Sequence, residues 1–204
     1  YGQKYLNKKM LQNIKRDNPV FVRRWLNRGA DVQGQDKNGY TPLMWAGLKA
    51  RPEILKMLLD RGAGMSVNAT NHKGNTALKY AAKSNSDKKV RLLMEAGADP
   101  TVMPDNSMNS LYYAAKYNTA EVVELLLNVG ADPDRAENYH TWTALHQAAK
   151  FNTAEVVELL LNAGADPNVA TDYDMWTPIH MAAAYNTAEA VELLLNAGAD
   201  PDMT

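Results

Sequence analysis

One stretch of this chain occurs three times in near copy. It runs Tyr117-Asn-Thr-Ala-Glu-Val-Val-Glu-Leu-Leu-Leu-Asn-Val-Gly-Ala-Asp-Pro133, again from Phe151 to Pro167, and again from Tyr185 to Pro201. Asn118, Asn152 and Asn186 mark a spacing of 34 residues. A unit of that length cannot bury its own apolar face, so neighbouring copies must bury one another. The chain is a stack of repeats, and a stack presents a long surface.

Each unit reads as helix, tight turn, helix and extended loop. Thr41-Pro42-Leu43, Thr76-Ala77-Leu78, Thr143-Ala144-Leu145 and Thr177-Pro178-Ile179 open the first helices. Thr is a good N-cap, and Pro suits the first helical position because its missing N–H would have no partner there. Paired small residues follow, Ala81-Ala82, Ala114-Ala115, Ala148-Ala149 and Ala182-Ala183, which let neighbouring helices approach closely. Asn85, Asn118, Asn152 and Asn186 turn the chain, since Asn tolerates the left-handed region. Second helices such as Val156 to Leu161 end at Gly29, Gly62, Gly97, Gly130, Gly164 and Gly198, the expected C-cap glycines.

Thr-Pro-Leu-x-x-Ala, the inter-helix turn, Leu-Leu-Leu and Gly-Ala-Asp-Pro together resemble the ankyrin repeat, over essentially the whole chain. The resemblance implies an all-α ankyrin-repeat solenoid of helix-turn-helix units with projecting β-hairpin or loop fingers. Residues 1–34 read as an N-terminal capping repeat without a finger, and 35–204 as five further repeats in one continuous domain. Their first helices open near positions 41, 76, 109, 143 and 177. Repeat four departs from the pattern, with Asn109-Ser110-Leu111-Tyr112 where Thr-Pro-Leu-His is usual. Gly64-Met65-Ser66 lengthens the loop after repeat two, a surface insertion. The opening at Tyr1 rather than Met is expected of an excerpt.

The family makes its contacts at finger tips and at the inner face of the first helices. Its finger reads Asp-x-x-Gly-x-Thr, and Gly39 and Gly74 obey it, but the aligned residues of the next three repeats are Ser107, Thr141 and Met175. Gly supplies a positive φ at little steric cost, which Thr and Met do poorly. Repeats five and six also carry one extra residue here. Large residues crowd these rebuilt fingers: Met108, Tyr139, His140, Trp142, Tyr173, Met175 and Trp176. Tyr112, Tyr113, Tyr117, Phe151, Met181 and Tyr185 lie on the first helices of the same side. Tyr, Trp and Met are enriched in interface cores, so this set is the expected partner-binding surface, with Trp142, Trp176 and Tyr173 as anchors. For Tyr117, Phe151 and Tyr185, packing across repeat junctions is an equal alternative. The near-identical copies and rebuilt fingers resemble engineered ankyrin binders, and fit a natural bacterial scaffold or adaptor as well.

Other chemistry is not indicated. The chain has no cysteine, so disulfides and thiolate catalysis are excluded. His146 and His180 fill a slot that the resemblance assigns to a structural hydrogen bond, and His72 and His140 make no zinc-ligand spacing. Glu121/Glu124, Glu155/Glu158 and Glu189/Glu192 recur identically at helical spacing, as a solvated face does. No phosphate-binding loop is present. The chain is therefore expected to be a protein-binding module, not an enzyme, without cofactor or metal. It carries no signal-peptide pattern or membrane span, and a cytoplasmic setting is expected.

Charge leaves two alternatives open. Residues 1–100 hold 19 Lys and Arg against 8 Asp and Glu, whereas residues 101–204 hold 3 against 15. Lys8, Lys9, Lys15, Arg16, Arg23, Arg24 and Arg28 could contact nucleic acid, but a terminal repeat needs a polar outer face anyway, and the cap is the preferred reading. The last helix copies an internal one without a polar cap repeat after it, so homo-oligomerisation through that apolar edge is the other alternative.

Overall fold

The structure is a computed structural model that describes residues 2–102, 109–117, 119–136, 141–151, 153–185 and 188–203. The described residues form short helices joined by turns, with no strand among them. Two compact units divide the chain, Tyr1–Pro104 and Asp105–Thr204.

The first unit holds α1 (Gln3–Lys15), α2 (Pro19–Asn27), α3 (Pro42–Lys49), α4 (Pro52–Leu59), α5 (Ala77–Lys83) and α6 (Asp87–Glu95). First helices α1, α3 and α5 pack in one row and second helices α2, α4 and α6 in another. Met10, Ile14, Leu43, Met44, Ile54, Leu55, Leu58, Leu78 and Leu93 are its fully buried large side chains. The extra residues after repeat two form one 3-10 turn, Ala63–Ser66, which leaves Met65 exposed in water.

The second unit repeats the plan with α7 (Ser110–Tyr117), α8 (Ala120–Asn128), α9 (Ala144–Phe151), α10 (Ala154–Asn162), α11 (Pro178–Tyr185) and α12 (Ala188–Asn196). Row contacts run α7 to α9 to α11 and α8 to α10 to α12. Helices of eight or nine residues are marginal alone in water, so each is held by the neighbour it packs on. In repeat four, Asn109 takes the usual Thr role: its side chain accepts from the N–H of Tyr112 at 2.6 Å.

Close approach within each row depends on small residues. Ala81, Ala82, Ala114, Ala115, Ala148, Ala149 and Ala182 are buried, as the sequence pattern predicts, whereas Ala183 of the fourth pair is exposed. At Gly47 on α3 a Cβ would lie 2.9 Å from the carbonyl of Ala77, so even Ala is too large there. The Gly47 carbonyl accepts from Lys89 Nζ of α6 at 2.6 Å, and the Lys89 side chain is buried. Burial pulls its pKa down to about 8, partly offset by the charge of Asp17.

A second device ties the loops. The C-cap glycines Gly29, Gly62, Gly97, Gly130, Gly164 and Gly198 all hold positive φ, which leaves their carbonyls to be satisfied from outside the helix. Gln33 donates to Gly62, Asn68 to Gly97 and Asn168 to Gly198, each side chain coming from the preceding loop. Asn68 and Asn168 also accept from the next loop's backbone, at Asp99 and Asp200. Asp134 keeps only the accepting half, from the N–H of Asp166, because a carboxylate has no N–H to offer Gly164. Asp134→Asn restores the donor and should raise stability by about 1 kcal/mol. Equilibrium urea unfolding of the two proteins checks this, and an unchanged or lowered midpoint would contradict it.

Candidate functional site

The fingers differ between the units in how they turn. In the first unit Asp36 closes its finger, accepting from the N–H groups of Asn38 and Tyr40 while its other oxygen takes the Trp45 indole N–H at 3.0 Å. Burial pushes the Asp36 carboxyl up, but these hydrogen bonds and Lys15 outweigh it and hold the group below its ordinary value. In the following repeat Asn71 fills this role, accepting from Lys73 and Asn75. Gly39 and Gly74 supply the positive φ, and a Cβ on Gly39 would strike the His72 backbone at 2.9 Å.

In the second unit the same turn is made without glycine. Thr141 has φ 54° and Met175 φ 53°, both left-handed. The finger of repeat six closes between the N–H of Thr171 and the carbonyl of Trp176, whereas Asn71 closes on Asn75, so the extra residue predicted there is accommodated inside the turn. A non-glycine residue held left-handed costs on the order of 1–3 kcal/mol, most for a β-branched one. Replacing Thr141 by Gly removes that cost and loosens the unfolded chain by less, so the Thr141→Gly variant should gain about 0.5–1 kcal/mol. Thermal unfolding reads the gain, and a lowered midpoint would show the turn to be unstrained.

His146 anchors this finger to the helix behind it. Its Nδ1 accepts from the N–H of Thr143 and lies 2.9 Å from the Thr143 hydroxyl, and its Nε2 faces the carbonyl of Trp176 at 3.1 Å. A carbonyl only accepts, so the proton sits on Nε2 and the ring is neutral. Burial lowers its pKa to about 4, against a smaller opposing pull from backbone carbonyls. The folded state thus binds fewer protons than the unfolded chain between pH 6.5 and 4. Stability carried by His146 is complete above about pH 6.5 and is lost as pH falls toward 4. Urea midpoints at about pH 7 and about pH 4.5 should differ more for the parent than for His146→Gln; equal differences would count against the buried neutral ring. His180 repeats the contact to its own threonine, at 2.8 Å from the Thr177 hydroxyl.

Around this finger lies a row of rings. Tyr117, Phe151 and Tyr185 are 41%, 50% and 57% exposed at the ends of α7, α9 and α11. Lysines bridge them. Lys116 Nζ stands 4.9 Å from the Tyr117 ring and 4.4 Å from Phe151. Lys150 Nζ stands 5.1 Å from Phe151, 4.6 Å from Tyr185 and 5.3 Å from Trp142. Trp176 meets Tyr185 at 6.3 Å between centroids. Tyr173 and Met175 project from the finger, exposed, and Trp142, Trp176 and Tyr113 are half-buried. Met181 is different: only 4% of it is exposed, and its side chain belongs to the core. Met108, Tyr139 and His140 lie outside the described residues.

Sequence reasoning missed the two lysines, although the Lys before the ring in two of the three copies was a signal. It also missed a ring cluster in the first unit. Tyr40 stacks on Trp45 at 4.5 Å and on Tyr80 at 5.5 Å, and the Tyr80 hydroxyl donates to that of Tyr40. Pairing with the neighbouring Tyr80 hydroxyl, then burial, raises the Tyr40 pKa to about 12. Nearby, α1 and its facing finger form a groove of about 730 Å³ lined by Lys4, Lys8, Lys15 and Lys37 as well as Asp36. Much of the basic surface has partners: Lys15 covers the Trp45 ring at 3.7 Å, Arg23 pairs with Glu53, and Arg28 lies over Trp25. Among the described residues no group of His, Asp and Glu could hold a metal ion, and no helix is long and apolar enough to cross a membrane.

The family model described as "Ankyrin repeats (3 copies)" matches twice, over residues 11–104 and 111–204. The chain belongs to the ankyrin-repeat family. Among solved structures, the ankyrin repeat domain of human ASB11 superposes with a TM-score of 0.77 at 26% identity, covering 95% of this chain and 85% of that one. An ankyrin repeat domain from Acinetobacter baumannii gives 0.73 at 29% identity, covering 94% and 98%. A curated relative, the putative E3 ubiquitin-protein ligase XBAT34 of Arabidopsis thaliana, is 30% identical over 103 residues, or 50% of this chain and 27% of the relative. The chain thus spans about a quarter of the length of that relative. Ankyrin repeats are protein–protein interaction modules, and this chain is one.

Proposed function

We propose that the second unit binds a protein partner through the finger of repeat six and the ring row on α7, α9 and α11. The exposure of Tyr117, Phe151 and Tyr185 at one repeat spacing, each braced by a lysine, carries this reading. Rings left in water cost free energy, and a monomer rarely keeps a contiguous set of them. Tyr173 and Met175 extend the set, and Trp142 and Trp176 form its half-buried floor. Because the rings are already ordered by packing and cation–π contacts, little rotamer freedom remains to be lost on docking.

A second reading rests on the last helix pair. Ala183 is exposed where its equivalents Ala115 and Ala149 are buried, and Leu195 of α12 is 46% exposed. This edge suits a further repeat or a second copy alike, and light scattering at two protein concentrations tests the second copy: a concentration-independent monomer removes it.

The main reading is tested by affinity capture with mass spectrometry, comparing the parent with Tyr173→Ala, Phe151→Ala and Trp142→Ala/Trp176→Ala. The first two change exposed rings and should leave the fold intact. A partner held by the parent should be weakened by about 2 kcal/mol where the ring is a hot spot. A partner retained equally by all three variants would move the site elsewhere, to the lysine-lined groove or the C-terminal edge.

A further inference from the structure

The ring row follows a rule that its last member breaks. In repeats four and five a lysine precedes the ring, Lys116-Tyr117 and Lys150-Phe151, and each lysine reaches both its own ring and the next one along. Phe151 is therefore flanked by two ammonium groups, at 4.4 and 5.1 Å, and both are accommodated. In repeat six the corresponding residue is Ala184, so among the described residues Tyr185 has Lys150 on one side only. Ala184 is exposed and brings no cation, and Tyr185 is 57% exposed. Trp176 stands 6.3 Å from the same ring, a second negative π face at that corner.

Carboxylates far outnumber cations in this half of the chain. Residues 101–204 carry 15 Asp and Glu against 3 Lys and Arg, and two of those three cations are the lysines already engaged with the row. The finger that supplies Trp176 adds exposed Asp172 and Asp174 on either side of Tyr173. Among the described residues the one cation at this corner, Lys150, already stands over rings; a further cation has two ring faces there and the carboxylates of the same finger to draw it.

We infer that the partner contributes a lysine or arginine side chain, which docks against Tyr185 and Trp176. It takes the place that a lysine at position 184 would hold if repeat six followed repeats four and five. This rests on the second unit being the binding surface and names the chemistry of what it binds, a basic segment of a protein. The partner's cation completes an alternation of ring and cation that runs Tyr117, Lys116, Phe151, Lys150, Tyr185.

The test uses a defined probe at physiological ionic strength, the peptide acetyl-Gly-Lys-Gly-Lys-Gly-Lys-Gly-amide, with its glutamine counterpart as control. NMR of the Trp176 indole N–H and the Tyr185 ring follows the titration. The lysine peptide should shift both resonances saturably and the glutamine peptide neither. Ala184→Lys supplies the missing cation in cis and should weaken the peptide by about fivefold or more. Asn196→Lys adds the same charge on α12, away from the rings, and should weaken it by less than about twofold. Unmoved ring resonances, or equal weakening by the two variants, would overturn the inference. The two proposals separate in the capture assay. If Ala184→Lys holds the partner as well as the parent while Tyr173→Ala loses it, the cation idea fails and the surface stands. If Tyr173→Ala and Phe151→Ala both hold it, the surface itself has failed.

Discussion

Everything in both units depends on one repeat lending its neighbour the buried face it cannot supply itself. A helix of eight residues has no independent stability, and two of them still leave a bare side. The first-helix row solves this by removing side chains rather than adding them: Ala pairs in most repeats, and Gly47 where a Cβ would meet the backbone of α5 at 2.9 Å. Removing side chains brings carbonyls to the interface as well, and these need donors. Lys89 answers one of them inside the core at Gly47, and Gln33, Asn68 and Asn168 answer others along the loops. Packing and polar satisfaction are thus met by the same neighbour.

That division frees the fingers. They carry little of the core, so their sequences can drift so long as the chain still turns. In the first unit the turn is unstrained, with glycine at the tip and an Asp or Asn side chain folded back over the backbone. In the second, Thr141 and Met175 keep the left-handed conformation without glycine. Strain of that kind persists only where the surroundings over-determine it. His146 is one such restraint, since its Nε2–H holds the carbonyl of Trp176 from the adjacent repeat.

Much of this was legible in the sequence, for a physical reason. Period, N-cap threonines, C-cap glycines and the added finger residue are local properties that recur, and recurrence raises them above chance. The left-handed turn at Asn85 is of this kind, with φ 52°. What was not legible depends on residues distant in sequence. Lys89 reads as one more solvated charge until the carbonyl of Gly47, 42 positions away, is placed against it. Met181 reads as a contact residue because its neighbours in sequence are, yet the helix turns it into the core. Asp134 and Asn168 look interchangeable in a loop, and only the carbonyls of the C-cap glycines distinguish acid from amide.

The ring row shows how a repeat can carry chemistry that no single copy has. A lysine beside an aromatic residue on one helix is ordinary in isolation. Repeated at 34 residues on helices that pack side by side, it becomes an alternation in which each cation serves two rings. The rings remain 41–57% exposed although an ammonium group stands within about 5 Å of each. In a half-chain with so large an excess of carboxylates, a lysine is drawn toward any neighbouring acid. That Lys116 and Lys150 stand over rings instead ties the electrostatics of the surface to its shape. A change of charge in this row therefore alters which faces of Tyr117, Phe151 and Tyr185 are presented.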